Sequence, residues 1–281
     1  MGATLSIVMP SYNQADYLQE AIASVLSQRA DIKEFFVLDA GSTDASVDII
    51  KQHADQIDDW RSEPDGGQSH AIADGFAKCT GDVITWLNSD DALLPGAARA
   101  MLDRFDADPN VGLVEGDTVV VDADSRIIRC DRRAGPSAWW MRHGHVRIHQ
   151  PSTFYRRSVY EAVGGVDRDL HCTMDTDLWY RLLPATKPAR LSRYVGVHRM
   201  HEQAKGTAAR WQEHYRDERE RLKERYPWLN MSFPRYQTGR ARVLARSLIS
   251  RRAASARRDT ERFAGMPLSE AFPDEASLNT I

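Results

Sequence analysis

A pair of adjacent carboxylates stands at the end of a short apolar run in this chain. Residues 83–87 are apolar apart from one threonine, and they are followed by Asn88, Asp90 and Asp91. Neighbouring carboxylates repel one another where water is scarce, and a bound divalent cation removes that repulsion. Carboxylate oxygens suit Mg²⁺ or Mn²⁺, which often complete their shell with substrate phosphates and water. The pattern predicts a cation site, and the alternative is that Asp90 or Asp91 only caps a turn.

Two more polar clusters follow apolar runs earlier in the chain, and a glycine turn opens a helical pattern. The clusters are Pro10, Ser11, Tyr12 and Asn13, and then Asp39, Ala40, Gly41 and Ser42. The turn contains Asp65, Gly67 and Gln68, and free backbone N–H groups at a helix start favour an anion. A carboxylate such as Asp39 can accept hydrogen bonds from a base or a ribose. Each cluster alone is also ordinary turn chemistry, but together they indicate a binding site.

A second carboxylate pair and two histidines lie farther along the chain. Asp175 and Asp177 stand two residues apart at a predicted helix start, so their side chains point in different directions. We therefore expect one to face a cleft and the other to cap or pair. His198 and His201 follow a predicted strand, and either one is a candidate metal ligand or an ordinary surface or core residue.

The alternation of apolar runs and helical patterns predicts how these groups meet. Up to Asp91 the pattern implies a mostly parallel sheet with helices on both faces. Ligands bind such sheets outside the carboxyl ends of the strands, so the three clusters should share one edge. Residues 132–150 resemble a loop, in which Trp139 and Trp140 either stack on a ring of a ligand or anchor the loop. After Asp91 we predict strands over 112–122, 127–128 and 194–197, and helices over 175–183, 211–226 and 240–258.

The composition is that of a soluble enzyme. The 281 residues suggest one large α/β domain with at most a small appendage. A content of 42% apolar and 27% charged residues excludes a largely disordered chain, and a net charge of −3 argues against a nucleic-acid binder. We expect neither a membrane span nor a signal peptide, because no apolar run is long enough and the first residues lack a basic start. Three scattered cysteines fit a reduced, cytoplasmic setting.

Basic residues concentrate near the C-terminus. Residues 210–262 contain fifteen basic and seven acidic side chains, whereas the rest of the chain is acidic, so we place a boundary after residue 205. In the predicted helix over 240–258 an apolar stripe repeats at helical spacing through Val243, Leu244, Leu248 and Ile249. Such a helix can lie on the inner face of an anionic membrane. The alternative is a helix packed on the domain or on a second subunit.

The motifs, in this order and spacing, resemble those of the family-2 inverting glycosyltransferases of the GT-A fold. These enzymes act in bacterial polysaccharide and cell-surface glycan synthesis. The resemblance covers about residues 4–205. The matching stretches are Ser6–Asn13, Asp39–Asp44, Glu63–Ser69, Trp86–Asp91, Gln150–Phe154 and the run from Gly164 to Leu182.

The resemblance implies a fold, a division of the chain and a set of ligands. The fold is α/β, a GT-A (Rossmann-like) mostly parallel sheet flanked by helices, with a C-terminal helical extension. Residues 1–205 would form the glycosyltransferase domain, with a nucleotide-binding half (1–95) and an acceptor half (96–205), and residues 206–281 the basic extension. The donor would be a UDP, GDP or dTDP sugar, the acceptor a glycan or lipid-linked hydroxyl, and the cofactor Mn²⁺ or Mg²⁺. A homo-oligomer is compatible with this picture.

By position, the resemblance also assigns roles to residues. Asp175 matches the base that takes the proton of the attacking hydroxyl. Asp91, with Asp90 and His201, matches the groups near the metal and the diphosphate, and His198 competes with His201. Nucleotide contacts are expected from a wider set, namely Pro10, Ser11, Tyr12, Asn13, Asp39, Gly41, Ser42, Asp65, Gly67, Gln68, Asn88 and Asp90.

The sequence departs from the family pattern at two positions. Asn88 stands where the metal motif has its first Asp, and an amide carries no charge. Met174 precedes Asp175 where the family often has Glu, which leaves Asp175 as a better candidate base than Asp177.

Two other functions are alternatives to glycosyl transfer for a chain with these motifs. A sugar-phosphate nucleotidylyltransferase would need a basic loop after the first strand, and residues 10–14 contain no basic side chain. An inactive glycan-binding or partner-binding paralogue would not need to keep Asp39, Asp90, Asp91 and Asp175 together.

Overall fold

The computed structural model describes residues 2–132, 135–143, 148–206, 208–230 and 251–274, together with the single residues Gln237 and Ala241. Within these residues the strands form one sheet. The strands are β1 Leu5–Ser11, β2 Glu34–Asp39, β3 Asp59–Ser62, β4 Val83–Trp86, β5 Ala92–Leu93, β6 Val111–Val121, β7 Ile127–Asp131, β8 Thr153–Arg156 and β9 Lys187–Arg199. The α-helices are α1 Ala15–Leu26, α2 Ser46–Gln52, α3 Gln68–Lys78, α4 Ala97–Asp106, α5 Ala138–Met141, α6 Arg157–Ala162, α7 Met174–Ala185, α8 Gln212–Arg225, α9 Arg251–Phe263 and α10 Leu268–Ala271.

The first half of the sheet is parallel. β3, β2, β1 and β4 lie side by side in this order and run in the same direction. The register pairs Ser11 with Asp39 and Asp39 with Ser62, so the carboxyl ends of three neighbouring strands are level. The polar residues after β1, β2 and β4 therefore reach one edge of the sheet, as the strand pattern predicts.

The second half of the sheet mixes strand directions. β8 is antiparallel to both β4 and β6, whereas β9 is parallel to β6 and antiparallel to β5. β7 forms the expected antiparallel partner of β6. The predicted α/β sheet flanked by helices is confirmed, and its parallel pairs are concentrated in the first half.

Some elements differ from the sequence-based prediction. β9 has 13 residues and extends well before the four that we predict as a strand. β3 and β8 are four residues each, and the sequence pattern predicts neither. β3 is missed because Asp59, Arg61 and Ser62 give it a polar, half-buried character, and β8 because four residues are too few to show a period.

Alternate residues of the strands point into two separate apolar cores. Leu5, Ile7 and Met9 of β1 pack with residues of α1, α2 and α4 on one face of the sheet. Val8 packs on the other face with residues of α3, α7 and α8, where Trp86 and Tyr155 stack with ring centroids 5.7 Å apart. Because both faces are covered, the strand ends are the part of the sheet that is open to a ligand.

The C-terminal segment packs on the sheet domain at two places. α8 buries Leu222 in the core that α7 shares, and α9 buries Phe263 beside β7. The side chain of Thr260 accepts the backbone N–H of Cys130 at 2.9 Å. The apolar stripe predicted through Val243, Leu244, Leu248 and Ile249 lies outside the described residues. No helix in the described ranges has both the length and the apolar character needed to cross a membrane.

Asp177 of α7 contacts the end of helix α8 through an ion pair and hydrogen bonds. Its buried carboxylate accepts hydrogen bonds from Arg181 at 2.6 Å, from Arg225 at 2.8 Å and from the Tyr226 hydroxyl at 2.8 Å. Removing one partner of a buried ion pair leaves the remaining charges uncompensated, which typically costs about 3–5 kcal/mol.

We therefore expect Asp177→Ala to lower the free energy of unfolding by about 3–5 kcal/mol, because Arg181 and Arg225 lose their common counter-charge. Urea unfolding followed by tryptophan fluorescence measures this change. Asp217→Ala is the matched control, since Asp217 is an exposed acidic residue of α8, and it should shift the value by less than about 0.5 kcal/mol. Equal effects of the two substitutions would contradict the role given to Asp177.

Candidate functional site

A cavity of about 870 Å³ lies at the carboxyl edge of the parallel strands. Its wall combines the strand-end loops of the first half with α7, the segment after β9 and the start of α8. The residues singled out from the sequence that line it are Pro10, Ser11, Tyr12, Asp65, Gly67, Gln68, Asn88, Asp90, Asp91, Asp175 and the competing histidine His198. Asn13, Asp39, Gly41, Ser42 and His201 do not line it. The fold thus brings most of the expected residues to one cavity.

Asp39 and its neighbours form a turn behind the cavity wall. The fully buried Asp39 carboxylate accepts hydrogen bonds from the N–H groups of Gly41 at 3.1 Å and Ser42 at 2.8 Å. The hydroxyls of Ser42 and Ser62 donate to it at 2.5 and 2.7 Å. Gly41 has a φ of +77°, which a residue with a side chain rarely adopts. In this arrangement Asp39 stabilises the turn, and its contact with a nucleotide base stays a prediction.

Asn13 ties the same turn to the first strand-end loop. Its backbone N–H donates to the Ser42 hydroxyl at 2.8 Å, and its side-chain oxygen accepts the N–H of Thr43 at 2.8 Å. Asn13 itself is in the left-handed region with a φ of +51°, which asparagine tolerates better than most residues. These bonds hold Ser11 and Tyr12 at the cavity, where Tyr12 is 57% exposed.

The turn before α3 follows the same principle. Asp65 accepts the N–H of Gly67 at 2.7 Å, and Gly67 has a φ of +99° immediately before the helix starts at Gln68. The N-terminus of α3 therefore opens on the cavity with its backbone donors, which suits an anionic ligand.

Asn88 connects the carboxylate pair to its surroundings as a neutral link. Its amide nitrogen donates to Asp91 at 3.1 Å and to Gln150 at 3.2 Å, while its oxygen accepts from Gln68 at 2.7 Å. An aspartate here would repel Asp91 and could not donate to it. This geometry gives a physical reason for an amide at the position where the family motif has a carboxylate.

Asp90 and Asp91 each have a different histidine partner. The Asp91 carboxylate accepts the backbone N–H of Arg199 at 2.9 Å and lies 3.4 Å from Nδ1 of His198. The Asp90 carboxylate lies 3.0 Å from Nε2 of His201, whose ring also packs on Tyr17. His198 faces the cavity, whereas His201 is buried behind Asp90.

The two carboxylates and His198 are electrostatically coupled. Burial and, after it, the adjacent charge of Asp91 raise the pKa of Asp90 above its usual range. Burial alone would lower the pKa of His198, but its hydrogen bond to Asp91 and the charges of both aspartates raise it. Negative charge thus accumulates at this end of the cavity and would attract a cation.

The residues present fit a cation that is shared with a phosphate rather than an all-protein metal cage. In the ranges that the structure describes, no three His, Cys, Asp or Glu side chains form a metal-binding group. Mg²⁺ is usually held by one or two carboxylates together with substrate phosphates. Asp91 and Asp90 supply two such carboxylates on the cavity wall.

Asp175 and Asp177 separate into two environments, as their spacing predicts. Asp177 forms ion pairs with Arg181 and Arg225. Asp175 instead lines the cavity and accepts hydrogen bonds from the N–H and the hydroxyl of Thr176. Burial, partly offset by the Thr176 bonds, raises the pKa of Asp175 to about 6. A carboxylate with such a pKa is ionised at neutral pH and is a good proton acceptor.

Sequence reasoning missed the cationic and aromatic wall that follows β9. Lys205 donates to Gln68 at 2.8 Å and to the backbone oxygen of His171 at 3.0 Å, and its ammonium lies 5.0 Å from the ring centre of Trp211. Arg210 and Tyr215 line the same wall. The shift to basic composition after residue 205 is the only sequence signal near these residues, and it does not show which of them turn inward.

The tryptophans of α5 lie away from this cavity. Trp139 is 41% exposed, contacts Trp140 edge-on and stacks on His143 with ring centroids 3.9 Å apart. Neither tryptophan lines the cavity. Their role in binding sugar stays a prediction.

Two bacterial proteins are similar to this chain in sequence. An uncharacterized glycosyltransferase of Nostoc sp. is 31% identical over 174 residues, which are 58% of this chain and only 54% of the relative. An uncharacterized glycosyltransferase of Mycobacterium tuberculosis is 27% identical over 193 residues, 67% of this chain and 72% of the relative. The chain thus spans only about half of the Nostoc protein.

Solved structures share the fold at low identity. Staphylococcus aureus TarS 1-349 in complex with UDP has a TM-score of 0.59 and 14% identity, over 89% of this chain and 73% of that one. The mannosyltransferase PcManGT from Pyrobaculum calidifontis, in complex with GDP-Man and Mn²⁺, has a TM-score of 0.54 and 18% identity, over 93% and 80%. The GT-A fold expected from the sequence is therefore confirmed.

The family assignment rests on the sequence match over the nucleotide-binding half and beyond. The family model described as Glycosyl transferase family 2 matches residues 6–164, more than half of the chain. That match includes the adjacent carboxylates Asp90 and Asp91, which line the cavity. Together with the shared fold and the cavity at the strand ends, it shows that the chain belongs to glycosyl transferase family 2.

Proposed function

We propose that this family-2 glycosyltransferase is a divalent-cation-dependent, inverting enzyme. It moves a sugar from a nucleoside-diphosphate sugar to a hydroxyl group of a glycan or lipid-linked acceptor. The observation that carries the proposal is that one cavity has the acidic pair Asp90 and Asp91 and the weakly acidic Asp175 on its wall. One end of the cavity suits a cation and a diphosphate, and Asp175 suits an attacking hydroxyl.

The donor side of the proposal is supported by the strand-end loops. The open N-terminus of α3 after Gly67 favours a diphosphate, and Lys205 adds a positive charge on the same cavity. The structural neighbours bind UDP, UDP-GlcNAc and GDP-Man, which supports a nucleotide sugar as donor. Ser11, Tyr12 and Asp65 are our candidates for contacts with the nucleoside.

Asp91, with Asp90 beside it, would hold Mn²⁺ or Mg²⁺, and His198 and His201 are the histidines next to these carboxylates. The cation would neutralise the negative charge that develops on the leaving diphosphate. The solved structure of PcManGT is a complex with GDP-Man and Mn²⁺, which supports a divalent ion in this fold. Lys205, which also lines the cavity, would add to the same neutralisation.

Asp175 is our candidate for the base. The acceptor hydroxyl transfers its proton to Asp175 as its oxygen bonds to the anomeric carbon of the sugar. The bond from that carbon to the phosphate oxygen breaks on the opposite face, and the nucleoside diphosphate leaves with the bonding electron pair. The transition state is oxocarbenium-like, and attack opposite the leaving group inverts the anomeric configuration.

We expect Asp175→Asn to lower the transfer rate by about 10²–10⁴-fold, because an amide cannot accept the proton. Binding of the nucleotide sugar should be kept, since the donor contacts lie elsewhere on the cavity. Initial rates of nucleoside-diphosphate release and calorimetric titration with the donor measure the two properties. Asp169→Asn, at an exposed position outside the cavity, is the control and should be fully active. A parental rate for Asp175→Asn would remove Asp175 from the role of base.

The raised pKa of Asp175 also predicts how stability depends on pH. Because the folded pKa of about 6 lies above the ordinary value of 3.8, the folded protein holds this proton more tightly than the unfolded chain does. The favourable contribution is complete below about pH 4 and is lost as the pH rises to about 6, a change of roughly 3 kcal/mol. Transfer activity should change in the opposite direction and fall below about pH 6.

We therefore expect Asp175→Asn to gain stability over the parent as the pH rises from 4 to 7, by up to about 3 kcal/mol. The measurement is the free energy of urea unfolding of both proteins across this pH range. Asp169→Asn should run parallel to the parent. A difference between Asp175→Asn and the parent that does not vary with pH would show that Asp175 is not a perturbed acid.

For the cation site, we expect Asp91→Ala to weaken Mn²⁺-dependent binding of the nucleoside diphosphate by at least about tenfold. The reason is that the substitution removes a carboxylate that would hold the cation. Thermal stabilisation by UDP, GDP or dTDP, with and without Mn²⁺, measures this effect. Asp175→Asn serves as the control and should keep the Mn²⁺ dependence. Unchanged Mn²⁺ dependence in Asp91→Ala would exclude Asp91 as a ligand.

A further inference from the structure

Glu218 of the C-terminal helix α8 is a buried carboxylate with an unusual set of partners. It accepts the backbone N–H groups of His171 at 2.6 Å, Cys172 at 2.9 Å and Thr173 at 2.8 Å. The hydroxyl of Thr173 donates to it as well, at 2.9 Å. Glu218 is only 4% exposed, so hydrogen bonds from these donors take the place of those that water would make with an exposed carboxylate. In the part of the chain that the structure describes, Asp175 is not among its hydrogen-bond partners.

The three N–H groups belong to the residues that lead into α7. Thr173 is the N-cap of this helix, and its own side chain makes no capping hydrogen bond within the helix. A carboxylate at a helix N-terminus is favoured by the helix dipole, and bonds from N–H groups to an ionised oxygen are among the stronger hydrogen bonds in proteins. Glu218 therefore caps α7 from another helix, two residues before Asp175.

A second contact fixes the same two helices farther along. Asp177, on the first turn of α7, pairs with Arg225 at the end of α8. α8 thus holds α7 at positions on both sides of Asp175. Lys205 adds a third contact through the backbone oxygen of His171. The entry to α7 has little freedom to turn while these bonds are present.

We propose that Glu218 is a positioning residue that sets the start of α7 so that Asp175 faces the acceptor hydroxyl. It follows that α8, which the sequence assigns to an extension beyond the enzyme domain, contributes a residue that positions the proposed base. The inference rests on the proposed role of Asp175 as the base. It deepens that proposal, because it names the group that holds the base in place.

Glu218 also acts on Asp175 through its charge. Among the described residues, the titratable groups that interact electrostatically with Asp175 include Glu218, Tyr215, Lys205, Cys172, Tyr155 and Tyr180. Glu218 is the carboxylate of this group, and its negative charge adds to burial in raising the pKa of Asp175. Removing that charge should lower the pKa of Asp175, which a purely structural role would not predict.

The test substitution is Glu218→Gln, which keeps the size of the side chain but presents an amide N–H₂ to backbone donors. We expect kcat for nucleoside-diphosphate release to fall by about 10–100-fold, since a misplacement of about 1 Å can cost about 10²-fold. The acid limb of the pH–rate profile should move to lower pH. Binding of the nucleotide sugar, measured by calorimetry, should stay within about twofold. Glu218→Asp keeps the charge and should lie between parent and Glu218→Gln.

The decisive comparison repeats Glu218→Gln in the Asp175→Asn background. If Glu218 acts through Asp175, it should cause no further loss there, because groups that act as a unit are not additive. Glu224→Gln, an exposed glutamate of α8, is the matched control and should be active in both backgrounds. Circular dichroism and donor binding identify a variant that does not fold. If Glu218→Gln does not fold, Glu218→Asp is compared in the parent and in the Asp175→Asn background instead.

Three outcomes would overturn the inference. If Asp175→Asn is inactive while Glu218→Gln keeps the parental kcat and acid limb, the positioning role fails and the proposed function stands. If Glu218→Gln causes the same loss in both backgrounds, its role is structural only. If Asp175→Asn transfers sugar at the parental rate, the proposed base fails first, and the positioning role fails with it.

Discussion

A carboxylate that is buried on folding loses its hydrogen bonds with water and needs hydrogen-bond donors or positive charges from the protein instead. Several such carboxylates lie in or near the cavity wall of this protein. Asp39 and Glu218 are each met by backbone N–H groups and hydroxyls, and Asp177 is met by two arginines and a tyrosine. Asp175 accepts hydrogen bonds from Thr176, and in the described part of the chain it forms no ion pair with an arginine or lysine. The well-compensated carboxylates shape turns and join helices, whereas the poorly compensated one keeps a raised pKa and stays available for chemistry.

The acidic pair shows the same constraint in another form. Asp90 and Asp91 cannot both be fully compensated, because they are adjacent and both are largely buried. The neutral amide of Asn88 limits the local charge. The remaining negative charge is what a cation bound together with a diphosphate would neutralise. The hydrogen bonds of Asn88 give a physical reason why the neighbour of this pair is an amide.

The mixed half of the sheet and the C-terminal segment complete the cavity that the parallel half begins. β9 returns beside β6 and brings His198 and Arg199 to Asp91. The segment after it contributes Lys205 and Trp211 to the cavity wall. α8 then packs on α7 through Leu222 and Glu218. The strand-end loops alone would leave Asp175, the proposed base, without support from α8, so the later part of the chain also shapes the cavity.

Apart from the polar strand β3, the sequence by itself determined the alternating strands and helices of the first half, because each apolar run and each helical period is a local pattern. It also determined that the clusters after β1, β2 and β4 lie on one edge, since parallel strands align their carboxyl ends. It separated Asp175 from Asp177, because a spacing of two residues on a helix fixes different directions. Only the tertiary structure decided that Asp39 sits behind the wall, that His198 rather than His201 faces the cavity, and that Glu218 caps α7. Each of these depends on contacts between residues tens of positions apart, and no local period encodes which distant partner compensates a buried charge.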